Sequence, residues 1–262
     1  MTKKKMNTYL KFVLILLGCT VIGGIIGFVS FMAEGTIGGL RLLAEGIGVS
    51  ICRYLFAEFM VLLLIEVVFG ERTMYKMKQH ARFLETAEDD FADRIEYEME
   101  KDAAWGVGVL NMIGALSMIF LATGYSIDYI KSVSNEKEGL GLLGACVVFI
   151  VIFTYNGLWG VRQVKLQQKL DPSKKGDPAS TKFTEQWLES CDEAEREIIY
   201  QSAYKSYLSL SKWIPVLMIV TMIFHLVWNT GVMAVAVVGV VWMVQNVSYL
   251  KSCVMLRKRK LS

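Results

Sequence analysis

Long stretches without a single charged residue constrain this chain more than any other feature. No Asp, Glu, Lys or Arg occurs in residues 12–32, 103–127, 139–161 or 213–250. An apolar run of about 18 or more residues is long enough to span the hydrocarbon core of a bilayer as a helix. A water-soluble domain has no comparable use for several of them. Hydrophobic residues make up 54% of the 262 and charged residues only 20%, against about 45–50% and about 25% in ordinary soluble domains. The pattern excludes a soluble globular enzyme, a secreted disulfide scaffold and a disordered tail.

Phe12–Met32, Ala103–Ile127 and Gly139–Val161 each suffice for one span. The 38 residues from Trp213 to Leu250 exceed one span, and the turn residues Asn229-Thr230-Gly231 divide them into a tight hairpin. A further span is expected over 47–69, interrupted by Arg53, Glu58 and Glu66. The expected fold is all-α: one integral membrane domain over 1–262, a bundle of six transmembrane helices arranged as three hairpins. The spans are 12–32, 47–69, 103–127, 139–161, 213–228 and 232–250, joined on the cytoplasmic side by loops 70–102 and 162–212. Lys3–Lys5 before an apolar run resemble a signal peptide, and Leu16-Leu17-Gly18-Cys19 resembles a lipoprotein box. The apolar stretch continues 13 residues past Cys19, however, so an uncleaved first span is expected.

Cationic loops stay cytoplasmic. Of the 28 Lys and Arg, 24 lie in the N-terminal segment, in the two long loops and in the C-terminal tail. Both termini are therefore expected in the cytoplasm. Each long loop begins basic (Arg72, Lys76, Lys78, Arg82; Arg162, Lys165, Lys169, Lys174, Lys175) and turns acidic. The acidic parts align at an offset of 103, with Asp89 on Asp192, Asp90 on Glu193, Ile95 on Ile198 and Tyr97 on Tyr200. Each opens on a capping-box pattern, Thr86-x-x-Asp89 and Ser190-x-x-Glu193. The spacing predicts amphipathic cytoplasmic helices over 87–102 and 191–210 that run into the third and fifth spans. Their apolar faces, Phe91–Ile95–Met99 and Ile199–Ala203–Tyr207, either pack on each other or form a groove for a partner helix. The basic stretches suit anionic lipid head groups.

Two groups of side chains stand out. Glu45, Arg53, Glu58 and His225 are ionisable or polar residues in or beside spans, where a charge is costly unless paired or hydrated. Asn111, Ser117 and Asn156 are available to complete a polar pocket, and Glu66 lies near enough to the boundary to snorkel. Asp89, Asp90, Asp93, Asp192 and Glu193 form acidic surfaces suited to docking a basic protein. No H-E-x-x-H, Walker loop, G-x-S-x-G or His/Cys cluster is present. Catalytic residues, metals and cofactors are accordingly not expected, nor is direct nucleic-acid binding. The five cysteines show no pairing pattern, so no disulfide framework is expected. Gly23 and Gly27 form a G-x-x-x-G suited to close helix packing.

Pro172-Ser173-Lys174-Lys175-Gly176-Asp177 and Trp187-Leu188-Glu189-Ser190-Cys191-Asp192-Glu193-Ala194-Glu195 carry a resemblance. With the Lys-rich N-terminus and Gly-rich first span, the chain resembles a domain-of-unknown-function family of polytopic membrane proteins from low-GC Gram-positive bacteria. The resemblance implies a bacterial plasma-membrane protein, with small helix-turn-helix regulators encoded nearby, and carries no activity over. Three functions remain open. The first is a non-enzymatic regulatory or accessory protein whose two loops bind a cytoplasmic partner such as a small basic DNA-binding regulator. The second is a transport permease subunit coupled to a separate ATPase, which would make Arg53 and Glu58 functional. The third is an intramembrane enzyme.

Overall fold

The computed structural model describes residues 14, 17, 18, 34–84, 89–125, 127–133, 136–228 and 230–259. Among these there are seven helices and no strand: α1 (Glu34–Leu84), α2 (Asp89–Gly124), α3 (Ile127–Ser132), α4 (Glu136–Leu170), α5 (Phe183–Ser190), α6 (Glu193–Trp228) and α7 (Met233–Arg259). Four of them, α2, α4, α6 and α7, are long and apolar enough to cross a membrane. They contain the expected spans 103–127 (as far as Gly124), 139–161, 213–228 and 232–250 (from Met233). The count among the described residues is thus four, not six. Of the expected first span only residues 14, 17 and 18, all helical, are described, and Gly23 and Gly27 lie outside the described residues. The expected second span lies within α1, where Arg53, Glu58 and Glu66 break up the apolar sequence.

Nor is 70–102 a loop. Helix α1 continues unbroken to Leu84, and α2 is helical from Asp89 onward. Helices α2 and α6 are both 36 residues long, and each carries a charged first part directly into an apolar second part. The break at 229–232 is also present: Gly231 adopts φ +84°, a left-handed conformation that glycine takes without penalty, between α6 and α7.

The chain divides into two compact units, Gly46–Ile199 and Met1–Glu45 with Tyr200–Ser262. The first is built on α1, α2 and α4. Along α1 the buried positions run Leu55, Phe59, Leu62, Glu66, Gly70, Thr73, Met77 and Ala81, in steps of three or four that keep one face inward, with Met74 buried beside Thr73. Leu55, Phe59 and Leu62 pack with Ile113 of α2 and with Ala145, Val148 and Ile152 of α4. Next come Met74, Leu110 and Trp159, then Met77, Met99 and Ala103. Trp159 is the key of the middle layer. Its indole N–H donates to the Gly70 carbonyl at 2.8 Å. A Cβ on Gly106 would overlap its ring, and one on Gly70 would come within 3.2 Å of it. The two glycines form the notch that lets three helices close around an indole.

In the second unit, α6 and α7 are joined by polar contacts within their long helices. Gln245 Nε2 donates to the Tyr207 carbonyl (3.3 Å) and to Ser211 Oγ (3.1 Å), and Tyr207 stacks on Tyr249 with centroids 4.4 Å apart. Only 6% of the most apolar window of either helix is buried.

Candidate functional site

The segment between α4 and α6 is short, yet its local hydrogen bonds define it closely. Asp171 follows α4, and its Oδ1 accepts from the Ser173 amide (2.9 Å) and hydroxyl (2.6 Å), turning the chain at Pro172. Those two donors hold the Asp171 carboxyl below the usual carboxylate range. Gly176 has φ +133° and a carbonyl that accepts from Gln168 Nε2 at 2.7 Å. A Cβ there would come within 3.0 Å of Phe183, the first residue of α5, whose ring packs 5.5 Å from Trp187.

Helix α6 is capped by a reciprocal box. Asp192 Oδ1 accepts from the Glu195 amide (2.8 Å), and Glu195 Oε2 accepts from the Asp192 amide (2.9 Å). The expected cap, Ser190 with Glu193, is therefore shifted by two residues. Ser190 instead donates its hydroxyl to the Trp187 carbonyl inside α5. Thr86 lies outside the described residues.

Lys174 joins the two stretches that carried the family resemblance. Its ammonium pairs with Glu195 and lies 3.8 Å from Asp171, with its side chain only 11% exposed. Burial is the largest single influence and works against the charge, but the interactions with Glu195, Cys191 and Asp171 together outweigh it and raise the Lys174 pKa. Arg196 fastens the same corner by donating to the carbonyls of Cys191 (2.8 Å) and Glu189 (3.2 Å). The Cys191 thiol beneath them is buried, and burial raises its pKa.

This corner closes one side of a cleft of about 510 Å³. The other sides are α2 and the end of α4. Apolar walls come from Met99, Ala103, Val107, Leu170, Trp187 and Ile199, and the acidic groups are Glu96, Glu100, Asp171 and Glu195. Neither Glu96 nor Glu100 has a hydrogen-bond or ion-pair partner among the described residues. The cleft brings together residues of both expected cytoplasmic loops. Of the proposed apolar faces, Met99 and Ile199 line it, while Phe91 stays exposed.

The expected docking residues surround this cleft in sequence without lining it. Asp93 and Glu193 are exposed, Asp192 is engaged as the cap, and the side chains of Asp89 and Asp90 lie outside the described residues.

The expected intramembrane pocket is not assembled among the described residues. The Glu45 side chain lies outside them. Arg53 lines a separate cleft of about 190 Å³ with Tyr129, Lys137 and Glu138. Glu58 is half-buried, and its Oε2 is buried without a partner. His225 belongs to the other unit and has a buried, unpartnered Nδ1. Asn111 is exposed, Ser117 donates to the Gly114 carbonyl of its own helix (2.8 Å), and Asn156 is half-buried.

Glu66 overturns its expectation. It does not snorkel: its exposure is 0%, and both carboxylate oxygens are buried without a partner. The signal was present in the sequence, because Phe59, Leu62 and Glu66 share the inward face of α1. One turn further on, Glu71 is paired by both oxygens to Arg162 (2.5 and 3.0 Å) and accepts from Tyr155 Oη (3.1 Å). Arg162 holds the Glu71 carboxyl below its usual range. His80 and Lys76 lie 3.7 and 4.0 Å from Asp102, joining α1 to α2. Among the described residues no three His, Cys, Asp or Glu side chains group as metal ligands do.

A family model described as "Protein of unknown function (DUF3169)" covers residues 4–253. No curated protein and no solved structure matches the chain.

Proposed function

We propose, from the premise that the chain belongs to the family Protein of unknown function (DUF3169) and takes no activity from it, that it is a polytopic membrane protein with a non-enzymatic regulatory or accessory role. It binds a cytoplasmic partner through its two charged segments. Four long helices with mostly unburied apolar surface suit a hydrocarbon environment, because soluble monomers rarely expose apolar patches beyond a few hundred Å². In this reading 12–32 and 47–69 also cross the membrane, making six spans. Both termini and both charged segments face the cytoplasm of a bacterial cell, and the basic stretches lie at the lipid surface.

One observation carries the partner reading. Residues 96–107 and 163–199, far apart in sequence, build a single open cleft with apolar walls and unpaired carboxylates. Such a surface fits a basic protein segment, for which a small DNA-binding regulator is the natural candidate. The test is mass spectrometry of what co-purifies with a tagged chain gently solubilised from its native membrane. A partner released by salt supports the reading. Glu96→Lys with Glu100→Lys, the two cleft carboxylates without an ion pair among the described residues, should release that partner. Unchanged capture rules out the acidic surface.

A second reading, a permease subunit coupled to a separate ATPase, is favoured by Glu66. Ionisable groups kept inside membrane bundles commonly mark substrate or ion pathways. A Glu66→Gln chain that inserts normally should then lose transport, and a nucleotide-binding ATPase should co-purify. Full transport by that variant removes the support Glu66 gives.

A further inference from the structure

We infer that the cleft between α2, α4 and the start of α6 binds a lipophilic organic cation, a small molecule with one positive charge on a bulky apolar body. The inference rests on the membrane reading above and goes beyond it in naming a small ligand, which competes with the protein segment for the same cleft. Three observations converge on this class.

The first is size. A cleft of about 510 Å³ falls within the roughly 300–1,000 Å³ typical of small-molecule sites. The second is charge. Four carboxylates, Glu96, Glu100, Asp171 and Glu195, line the cleft against a single ammonium. That ammonium, Lys174, is nearly buried and already clamped by Glu195 and Asp171. Glu96 and Glu100 are successive-turn neighbours on α2 with like charge; neither forms a hydrogen bond or ion pair among the described residues, and Lys174 acts on Glu100 only at longer range. A cation placed between them relieves their repulsion, and the half-buried Trp187 indole offers it an aromatic face.

The third is the order of these groups along α2. Glu96 and Glu100 precede Asp102, the last charged residue before the apolar run, and Ala103, Ala104 and Val107 open that run. From Glu96 to Val107 the lining changes from acidic to apolar within about 16 Å of helix. If α2 enters the bilayer at 103, the acidic end lies at head-group level and the apolar end within the acyl chains. A lipophilic cation lies in a membrane with the same polarity, its charge at the interface and its body below. It therefore reaches the cleft sideways from the inner leaflet without reorienting.

Two probes of matched shape and opposite charge test this: tetraphenylphosphonium and tetraphenylborate. Binding is measured by equilibrium dialysis on the full chain in a neutral detergent, with empty micelles as the blank. The phosphonium should bind saturably and the borate should not. Glu96→Gln with Glu100→Gln should weaken the phosphonium about tenfold, equivalent to about 1.4 kcal/mol. These two side chains hold no hydrogen bond or ion pair among the described residues, so the variant should fold. Ala104→Trp fills the apolar end and should abolish binding with the carboxylates intact.

Equal uptake of both probes, no saturable uptake, or full affinity in the double Gln variant would each overturn the assignment. Alkaline carbonate extraction checks the underlying reading separately. Release of the chain from membranes defeats the membrane placement, whereas retention without phosphonium binding defeats the ligand alone.

Discussion

Replacing Glu66 by Leu should stabilise the Gly46–Ile199 unit, against the usual direction for a buried residue. Glu66 has no exposed surface, and neither carboxylate oxygen has a hydrogen-bond partner. A buried polar atom left unsatisfied costs about 1–3 kcal/mol, so removing both oxygens should return roughly 2–4 kcal/mol. Leu is close to Glu in helix propensity, so the backbone contributes little. Imperfect repacking among Phe59, Leu62 and the facing α2 and α4 residues takes back up to about 1.5 kcal/mol. The net expectation is about 1–3 kcal/mol in favour of Leu.

Glu66→Gln is the necessary companion. It keeps the shape and leaves polar atoms equally stranded, so it should gain almost nothing. Unfolding by sodium dodecyl sulfate in mixed micelles, followed by far-ultraviolet circular dichroism, reads both variants on one scale. A Leu variant destabilised by more than about 1 kcal/mol would refute the reasoning, because it would mean that the carboxylate is satisfied in the folded protein.

The remaining predictions concern packing, capping and pH. Gly106→Ala gains about 1 kcal/mol of helix propensity but forces a methyl into the Trp159 ring, where overpacking costs about 1–3 kcal/mol. It should be destabilising alone and at least partly rescued by Trp159→Leu, and strict additivity in the double-mutant cycle would show the notch is not filled. Asp192→Ala removes the α6 cap and should cost about 1 kcal/mol, visible as faster hydrogen exchange at residues 193–196. Unchanged exchange there would mean the cap contributes nothing. The Asp171 carboxyl is held below its ordinary pKa in the folded chain. Its contribution is therefore complete above the unfolded value near about 3.9 and is lost as pH falls through the lower folded value. Limited proteolysis by an acid protease should open residues 171–192 only at low pH, and Ser173→Ala should move that opening upward in pH. An opening that Ser173→Ala leaves unmoved would count against the Asp171 turn.

Much of the architecture was legible because charge is so informative in an apolar chain. The ends of the charge-free runs at 103 and 161 fall where α2 and α4 pass from apolar to polar sequence. The shared design of α2 and α6 was also visible from the acidic alignment. The cap was missed by two residues because two overlapping frames, Ser190-x-x-Glu193 and Asp192-x-x-Glu195, both satisfy the pattern. Sequence spacing does not reveal that Ser190 is already committed to the carbonyl of Trp187. Glu66 was misjudged for a different reason. Its distance from the end of the span suggested snorkelling, whereas its register with Phe59 and Leu62 decides the outcome. Register overrides depth when two neighbouring helices close over the position.

Two features that break local rules lie in the same unit. Glu66 is a polar group with both oxygens stranded in an apolar inward face, and Glu96 with Glu100 is a like-charged pair that forms no ion pair among the described residues. Both weaken the fold, and apolar or paired residues would serve stability better at either place. Sequences carry such violations chiefly where function requires them. Between them lie the Met74–Leu110–Trp159 layer and the Met77–Met99–Ala103 layer, and Met99 and Ala103 also form part of the cleft wall. The Gly70–Gly106 notch holding Trp159 therefore sits in the packed column separating the stranded carboxyl from the acidic cleft. Tight packing around an indole leaves little room for one end to shift unless the other responds. The Trp159 layer is consequently the place where a link between the cleft and the Glu66 carboxyl would be broken without touching either.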